Sequence, residues 1–299
     1  MIRLMLLLLF LPYSLSAQMI ANHTGTVFEE DNFFNRDFIK NNKIRVISGN
    51  LSTKKELETI IDRGLVVQYH FDKEGRLVKY LYSFFSAGNK IDTSVVEYNY
   101  ENDLLVSKRQ NDNYGYYTYS YKYNEKNQIV EETYSRETNQ LQRKDTFALD
   151  KQYIITVNNY NYEEPKEGQF KRKLLNNYGR AYQEEIFTKD ANGFLTEIET
   201  HLIVSNKRSR VTFKYNERGD VMEKLDVRDL SASNKSQWWV FKYDKIGNLL
   251  EEDIYRNGKH IYHREVLYDE KTMLLKALIT KDMEANYITI LKYNFLFYQ

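Results

Sequence analysis

The sequence of 299 residues contains no cysteine and only two prolines, and neither sign of charge is in clear excess. Without cysteine the chain can form no disulfide bond, no thiolate zinc site and no cysteine nucleophile. Its 43 Lys and Arg residues are balanced by 42 Asp and Glu residues, so it lacks the surplus of cations with which proteins bind phosphate backbones. We therefore expect no nucleic-acid partner.

Long apolar runs are also scarce, and the one clear example lies at the N-terminus. Arg3 is followed by an unbroken apolar run over residues 4–11, and small residues lead up to Ala17. This is the pattern of a secretory signal peptide, and the run is too short to cross a bilayer as a helix. We predict cleavage of residues 1–17 near Ala17 and export to the periplasm, the cell surface or the medium of a Gram-negative cell. No later stretch predicts a membrane helix.

Residues 18–64 form an asparagine-rich N-terminal segment. Within it, Thr53-Lys54-Lys55-Glu56 has the Thr-x-x-Glu form of a capping box, in which side chains satisfy the free amides at the start of a helix. Apolar residues follow at helical spacing, and Gly64 is a typical stop signal. We predict one short helix in this segment.

Residues 65–299 repeat a short pattern. Phe213–Val221 reads Phe-Lys-Tyr-Asn-Glu-Arg-Gly-Asp-Val, and Phe241–Leu249 matches it position for position. Residues 69–77 and 121–129 fit equally well. Weaker copies centre on Glu101, Asp150, Asn176, Asp190, Asp269 and Asn294.

Each position of this pattern has a physical reason. Two aromatic residues separated by Lys place both rings on one face of a strand and the ammonium group on the other. The following Asp or Asn can accept hydrogen bonds from the backbone just beyond it, and a glycine three residues later provides the positive φ that a turn needs. The unit is therefore a β-hairpin. Its clearest turns are predicted at Asp72 with Gly75, Asn216 with Gly219, and Asp244 with Gly247.

The spacing of the copies predicts the architecture. Most copies are about 25 residues apart, which is the length of two strands and two turns. One spacing, from Asn176 to Asp190, is only 14 residues, so either the pattern shifts there to the other edge of the sheet or one copy is false. We predict an all-β fold, an antiparallel hairpin meander of about eighteen strands over residues 65–299.

The segment Tyr243–Leu249, which reads Tyr-Asp-Lys-Ile-Gly-Asn-Leu, resembles the YD repeat of the Rhs and teneurin family. The resemblance extends over roughly residues 65–299 and implies an extended hairpin array in which aromatic ladders pack between strands. Sugar binding is sometimes attributed to such repeats. The motif of that family is structural, so the resemblance implies no catalytic residue. Here the spacing is looser, and the chain is too short for the large shell that those proteins form.

Motifs for catalysis and metal binding are missing. The sequence has no nucleophile elbow, Walker loop, dinucleotide fingerprint or zinc-protease motif. His260 and His263 are three residues apart, so on a regular strand they point to opposite faces and could share a metal ion only if a bend intervened. The same holds for the adjacent glutamates at 131–132, 184–185 and 251–252. We therefore expect no catalytic residue, no metal site and no cofactor.

Two aromatic features are candidates for ligand binding. Trp238 and Trp239 are adjacent, so a strand directs one ring to each face, unless both are buried under other layers. Tyr117 and Tyr119 belong to a tyrosine stripe that alternates along one face, which is typical of adhesive surfaces but also of a core built from aromatic ladders.

Together these features favour an exported, non-enzymatic binding or scaffold protein that presents a sheet face to a glycan or to another envelope protein. One alternative is an outer-membrane β-barrel, which the signal peptide, the even number of strands and the tyrosine content favour and the recurring lysine disfavours. Another is a glycan-active enzyme whose carboxylates come from distant repeats.

Overall fold

The computed structural model describes residues 18–28, 33–55, 57–111, 115–140, 149–176, 178–232 and 235–299, so the predicted signal peptide lies outside it. No helix among these residues has the length and apolarity needed to cross a membrane. The elements in chain order are α1 (Arg36–Asn41), β1 (Ile44–Lys55), β2 (Ile61–Phe71), β3 (Leu77–Phe85), β4 (Ile91–Glu101), β5 (Leu104–Asn111), β6 (Gly115–Tyr123), β7 (Ile129–Asn139), β8 (Leu149–Lys166), β9 (Gln169–Leu175), β10 (Ala181–Lys189), β11 (Leu195–Leu202), β12 (Lys207–Tyr215), β13 (Val221–Val227), β14 (Ser236–Tyr243), β15 (Leu249–Arg256), β16 (Lys259–Tyr268), β17 (Leu275–Asp282) and β18 (Tyr287–Phe297).

These strands form one closed barrel. Each strand pairs antiparallel with the next along the chain, and β18 pairs antiparallel with β1, which closes the ring. The predicted all-β meander of about eighteen antiparallel strands is therefore confirmed. Closure leaves no free sheet edge, so each strand has a hydrogen-bonded neighbour on both sides.

The hairpin turns follow the repeated sequence. Asp244 Oδ1 accepts hydrogen bonds from the backbone amides of residues 246, 247 and 248 at 2.9, 2.7 and 2.8 Å. Gly247 has a φ of +99°, and the equivalent Gly75 and Gly219 have φ values of +77° and +86°. Such positive values are easily adopted only by glycine. The turn chemistry of the repeat thus sets where each strand reverses.

The irregular spacing has a simple explanation. Asn176 and Asp190 both accept hydrogen bonds from amides two and four residues beyond them, and both stand in turns. The Asn176 turn joins β9 to β10 and the Asp190 turn joins β10 to β11, so they lie at opposite ends of the barrel. Between Asn176 and Asp190 the repeated turns therefore move from one end of the barrel to the other. Two weaker copies are wrong as turns, because Asp150 lies within β8 and Asn294 lies within β18.

The predicted helix at Thr53 is wrong. Thr53 and the two lysines after it belong to β1, where Thr53 pairs with Thr289 of β18 and with Ile61 of β2. Glu56 lies outside the described residues, and the side chain of Leu57 is fully exposed, so the apolar residues of the expected helix have no core to cover. The hydrogen bonds of β1 to both β18 and β2 close the barrel, and they outweigh the local preference of this segment for a helix.

The observed helix is earlier in the chain. In α1, Asn35 is the N-cap, and its side-chain oxygen accepts hydrogen bonds from the amides of Asp37 and Phe38 at 3.0 and 3.2 Å. The barrel itself begins with β1 at Ile44, before the predicted start of the repeats at Leu65.

The N-terminal segment lies inside the barrel. The ring of Phe34 packs edge-on against Tyr69 and Phe71 of β2, with centroids 5.0 and 5.7 Å apart. The amide of Asn22 donates a hydrogen bond to the hydroxyl of Tyr243 in β14 at 2.8 Å. Strands β2 and β14 are separated by at least five strands in either direction around the ring, so one segment reaches both only from within. We call the side-chain face it touches the inner face, and the opposite one the outer face.

This segment fills only part of the barrel. Next to it the inner side chains from β12 to β18 are buried, among them Phe213, Val221, Trp239, Phe241, Leu249, Ile254, Val266, Leu275, Leu278 and Tyr293. From β6 to β10 the inner rings are mostly half-buried, among them Tyr117, Tyr121, Tyr134, Tyr160, Phe170 and Phe187. The continuous dry core therefore lies on the side of the barrel that the N-terminal segment covers.

The outer face carries ion pairs between neighbouring strands. Three of its lysines, at 122, 214 and 242, come from the second position of the repeat and pair with glutamates of the strand after the turn, whereas Lys171 lies outside that position. The pairs include Lys122 with Glu131, Lys171 with Glu184, Lys214 with Glu223, and Lys242 with Glu251. Exposed pairs of this kind contribute little to stability. They show instead that charged pairs recur on this face between β6 and β15.

Candidate functional site

The two adjacent tryptophans lie on opposite faces of β14. Trp239 is on the inner face, 3% exposed, and the ammonium group of Lys224 lies 4.6 Å from its ring centroid. Trp238 is on the outer face and is 36% exposed. Because the ring of Trp239 is enclosed in the core, it is not available to a ligand. The candidate site reduces to Trp238.

Trp238 lies in an open groove of about 340 Å³ on the outer face. Its cross-strand neighbours are Leu225 of β13 and Tyr255 of β15. The rings of Trp238 and Tyr255 are 4.9 Å apart at an angle of 33°, so together they form a continuous aromatic floor. Threonine, serine and glycine complete the lining with Thr212, Ser236 and Gly258.

A charged pair borders this floor. The indole Nε1 of Trp238 donates a hydrogen bond to Glu223 Oε2 at 3.3 Å, and the ammonium group of Lys214 lies 3.0 Å from the same oxygen. The carboxylate thus orients the indole while it keeps a second oxygen for other donors. A groove of this kind combines an apolar surface with one hydrogen-bond acceptor and one donor at its rim, as small-molecule sites commonly do.

The aromatic floor leads to a cluster of histidines. The rings of Tyr255 and His260 stack with centroids 4.7 Å apart. His260 Nε2 and His263 Nδ1 lie 3.0 and 2.8 Å from the same atom, Asp253 Oδ1. The ligand atoms of Glu251, Asp253 and His263 all lie within 4.8 Å of one another. This set of nitrogen and oxygen atoms could hold a metal ion.

The two histidines share one face because β16 has the bend on which a shared metal site depends. The pairing of β15 with β16 shifts register, from Ile254 opposite Tyr262 to Tyr255 opposite His260. This β-bulge inserts one extra residue, so residues three apart come to the same face. The prediction that these histidines form no metal site assumed a regular strand. The bulge removes that assumption.

The tyrosine stripe lies on the inner face. The rings of Tyr117 and Tyr119 stack on Tyr134 of β7 with centroids 5.9 and 4.7 Å apart, and the guanidinium group of Arg136 lies 4.4 Å from the ring of Tyr117. Tyr119 is 37% exposed. These residues form a half-buried ladder in the part of the barrel that the N-terminal segment leaves open.

The three glutamate pairs are divided between the two faces. The first glutamate of each pair joins an outer ion pair, and the second lies on the inner face. Glu252 is fully buried beside Arg264, and Glu185 lies 2.6 Å from Arg172. Glu132 accepts a hydrogen bond from the amide of Asn158 at 3.1 Å. Because the wall separates the two members of each pair, the pairs do not form twin carboxylate sites.

Inner tyrosines are held in their neutral form. Burial raises the pKa of Tyr121 and Tyr160 to about 12, and the nearby Glu132 adds to the effect at both. Burial also raises the pKa of Tyr100 to about 12. These phenols act as hydrogen-bonding and stacking groups at neutral pH.

Sequence reasoning missed most of this groove. Lys214 and Glu223 are ordinary positions of the repeat, and only the pairing of β12, β13 and β14 brings them beside Trp238. The available signal was Trp238 itself, because the other clear copies of the repeat carry Val66, Thr118 and Arg210 at the same position.

No family model matches the sequence, and no curated protein is significantly similar to it. Among solved structures, the chain is similar to a porin-like protein from Bacteroides uniformis, with 12% identity over 85% of this chain and 97% of that one and a TM-score of 0.39. A porin-like protein from Bacteroides vulgatus matches with 8% identity over 85% and 98% of the two chains and a TM-score of 0.37. The TcdB2-TccC3 structure matches 74% of this chain with 15% of its own, at 10% identity and a TM-score of 0.23. Similarities this weak support no assignment of function.

Proposed function

We propose that this chain is an exported, non-enzymatic binding protein that holds a glycan in the outer groove at Trp238. The observation that carries the proposal is the exposed indole beside Tyr255, with Glu223 and Lys214 at the rim. Export rests on the signal-peptide pattern of residues 1–17.

The chemistry of the groove suits a sugar ring. A pyranose presents C–H groups on one face and hydroxyl groups around its edge, so it needs a flat apolar surface bordered by hydrogen-bonding groups. Trp238 and Tyr255 supply the surface, and aromatic rings with a polar atom serve well where one side is apolar and the other wet. Glu223 accepts from hydroxyls and Lys214 donates to them.

The resemblance to YD repeats is part of the same proposal. The Tyr-Asp-x-x-Gly-x-Leu turn at Asp244 and its sister turns support a relationship to that family, and the inward aromatic side chains support the aromatic ladder expected of it. In this interpretation the repeats build the wall and the groove is an addition on its outer face.

A glycan array followed by titration calorimetry tests the proposal. The exported chain should bind at least one class of oligosaccharide, and Trp238→Ala should abolish or strongly weaken that binding, because stacking on an indole contributes a large part of such an interface. The matched control is Tyr178→Ala, which removes another aromatic side chain that is 89% exposed, in the turn between β9 and β10. Its binding should equal that of the original chain.

Three results would count against a glycan at Trp238. The chain binds no oligosaccharide on the array, or Trp238→Ala binds as well as the original chain, or Tyr178→Ala weakens binding equally. Capture of a purified envelope protein that Trp238→Ala abolishes would replace the glycan with a protein partner at the same groove.

The closed ring of eighteen strands also fits the alternative of an outer-membrane barrel, because such barrels have no free edge. A lipid-facing wall needs an apolar outer band, and a lysine at the middle of the bilayer costs about 2 to 4 kcal/mol. Lys122, Lys214 and Lys242 lie next to the ends of their strands, but Lys171 of β9 and Arg210 of β12 lie nearer the middle of theirs and pair with outer glutamates. We therefore favour a barrel in water, and recovery of the chain from membranes only with detergent would overturn this.

A further inference from the structure

We propose that Asp253, His260 and His263 bind one divalent transition-metal ion, such as Zn²⁺, on the outer face of the barrel. The site does not depend on the proposed glycan, although the stacked ring of Tyr255 joins it to the groove at Trp238. It rests on the convergence of two imidazoles and one carboxylate at a single point.

The ligand atoms are almost in place for coordination. His260 Nε2 and His263 Nδ1 lie 3.0 and 2.8 Å from Asp253 Oδ1. In a tetrahedral site with bonds of about 2.0 to 2.1 Å, neighbouring ligand atoms are about 3.3 to 3.4 Å apart. The two distances from Asp253 Oδ1 are therefore a few tenths of an ångström short of this spacing, and an ion would also require the two imidazole nitrogens to approach each other to the same spacing. Glu251 is the fourth candidate ligand, since its carboxylate lies within 4.8 Å of Asp253 and His263 ligand atoms.

The surroundings suit metal-binding histidines. Glu265 Oε1 lies 3.4 Å from His263 Nε2, so the ring can bind a metal through Nδ1 while its other nitrogen faces a carboxylate. Such a carboxylate partner orients the imidazole and makes it a better ligand. His260 Nε2 also lies 2.9 Å from the carbonyl oxygen of Tyr262, which can only accept, so this contact requires a proton on Nε2, and metal binding at Nε2 must break it in favour of the tautomer with its proton on Nδ1.

The donor set selects the class of metal. Two imidazole nitrogens with carboxylate oxygens favour Zn²⁺, Cu²⁺, Ni²⁺ and Co²⁺, whereas Ca²⁺ and Mg²⁺ prefer shells made of oxygen alone. The histidine side chains are 29% and 26% exposed, so an ion can reach them from solvent. The bulge in β16 brings both imidazoles to one face, and bulges are frequent next to functional sites.

Zinc titration against a chromogenic chelator tests the site, with the full exported chain purified without a histidine tag. We expect one Zn²⁺ per chain. Replacing His260→Gln, His263→Gln or Asp253→Asn should each weaken binding by at least about tenfold, because loss of even an outer-shell partner typically costs 10 to 100-fold. The matched control is His201→Gln, a half-buried histidine on another strand that hydrogen-bonds to Asn206. Its affinity should not change.

A second measurement separates a lost ligand from a lost fold. Co²⁺ added to the original chain should give the visible absorption of a tetrahedral nitrogen and oxygen site, which needs no variant. Far-UV circular dichroism of the variants should match that of the original chain. Trp238→Ala should keep full Zn²⁺ affinity, because Trp238 is not a metal ligand. The zinc experiment can therefore fail or succeed independently of the glycan experiment.

The site is contradicted if the original chain binds no stoichiometric Zn²⁺, or if the folded ligand variants bind as tightly as the original chain. It is contradicted equally if His201→Gln weakens binding as much as the ligand variants, because the ion would then be held elsewhere.

Discussion

The inner and outer faces of the barrel are built from the same repeat but differ in what their side chains touch. Adjacent residues show the contrast, since Trp239 is enclosed in the core and Trp238 lies in an open groove. The inner face is aromatic and packs on the N-terminal segment, whereas the outer face is lined with Lys and Glu pairs. Alternation along each strand explains why most outer residues are polar or charged. The candidates for function are therefore the outer residues that depart from this charged pattern.

The inner face itself varies around the ring. Where the N-terminal segment is present, Phe241 and Leu249 are 0% and 1% exposed. Where it is absent, the inner rings stack on one another and on arginines, as Phe170 does on Phe187 at 4.2 Å and Arg172 on Phe187 at 5.4 Å. The repeat supplies the rings, but complete burial depends on a segment that is not part of the repeat.

The largest expected effect comes from removing an inner ring. Tyr243→Ala should destabilise the fold by about 3 to 5 kcal/mol, since it opens a cavity in the core. It also removes the hydroxyl that donates to the Val221 carbonyl at 2.7 Å and accepts from Asn22. Lys242→Ala, one residue away on the outer face, should change stability by no more than about 0.5 kcal/mol. Urea unfolding measures both. Similar midpoints for the two variants would mean that the faces are assigned wrongly.

A smaller effect distinguishes the covered turns from the open ones. Gly75→Ala should cost about 2 to 3 kcal/mol, because φ is +77° and the new Cβ would clash with the backbone oxygen of Arg36 in α1. Gly193→Ala should cost only about 1 kcal/mol, because φ is +86° but no atom lies within 4 Å of its Cβ. Thermal unfolding of the two variants tests this, and an equal loss would argue against α1 packing on the Asp72 turn.

The smallest effect is electrostatic and concerns the Asp244 turn. Partial burial alone would raise the pKa of this carboxyl, but hydrogen bonds from the Asn248 side chain and from the amides of residues 246–248 outweigh it and lower the pKa. A depressed pKa stabilises the fold above the unfolded value, about 3.9, and the gain is lost as pH falls through the lower folded value. Asp244→Asn should cost about 1 kcal/mol at pH 7. The difference from the original chain should shrink below about pH 4, and a constant difference down to pH 2 would show that the ionised form is not favoured.

Much of the fold could be predicted, because the repeat encodes its own turns. The Asp or Asn and the glycine three residues later identify the reversals, and Asn127 replaces glycine in one turn with a φ of +58°. These signals are local, so the sequence shows them directly. The strand number followed from the spacing of the turns.

The parts that could not be predicted depend on distant residues. Thr53 looks like a helix cap, and only its pairing with β18, more than two hundred residues away, makes it part of a strand. The histidine cluster depends on a bulge that has no clear sequence signal, and the groove depends on which strands are neighbours. Trp238 was identified as one of a pair, but its partners at the rim came from the structure.

The most direct test of the two-faced wall uses its two tryptophans. In detergent-free buffer, Trp239→Phe leaves Trp238 as the single tryptophan and Trp238→Phe leaves Trp239, and excitation at the red edge of the absorption band selects the tryptophan over the tyrosines. Trp238 should be quenched by acrylamide severalfold more efficiently than Trp239 and should emit at longer wavelength, because its ring is exposed to water and that of Trp239 is not. Equal quenching of the two rings, or stronger quenching of Trp239, would contradict the assignment of inner and outer faces on which the proposed groove rests.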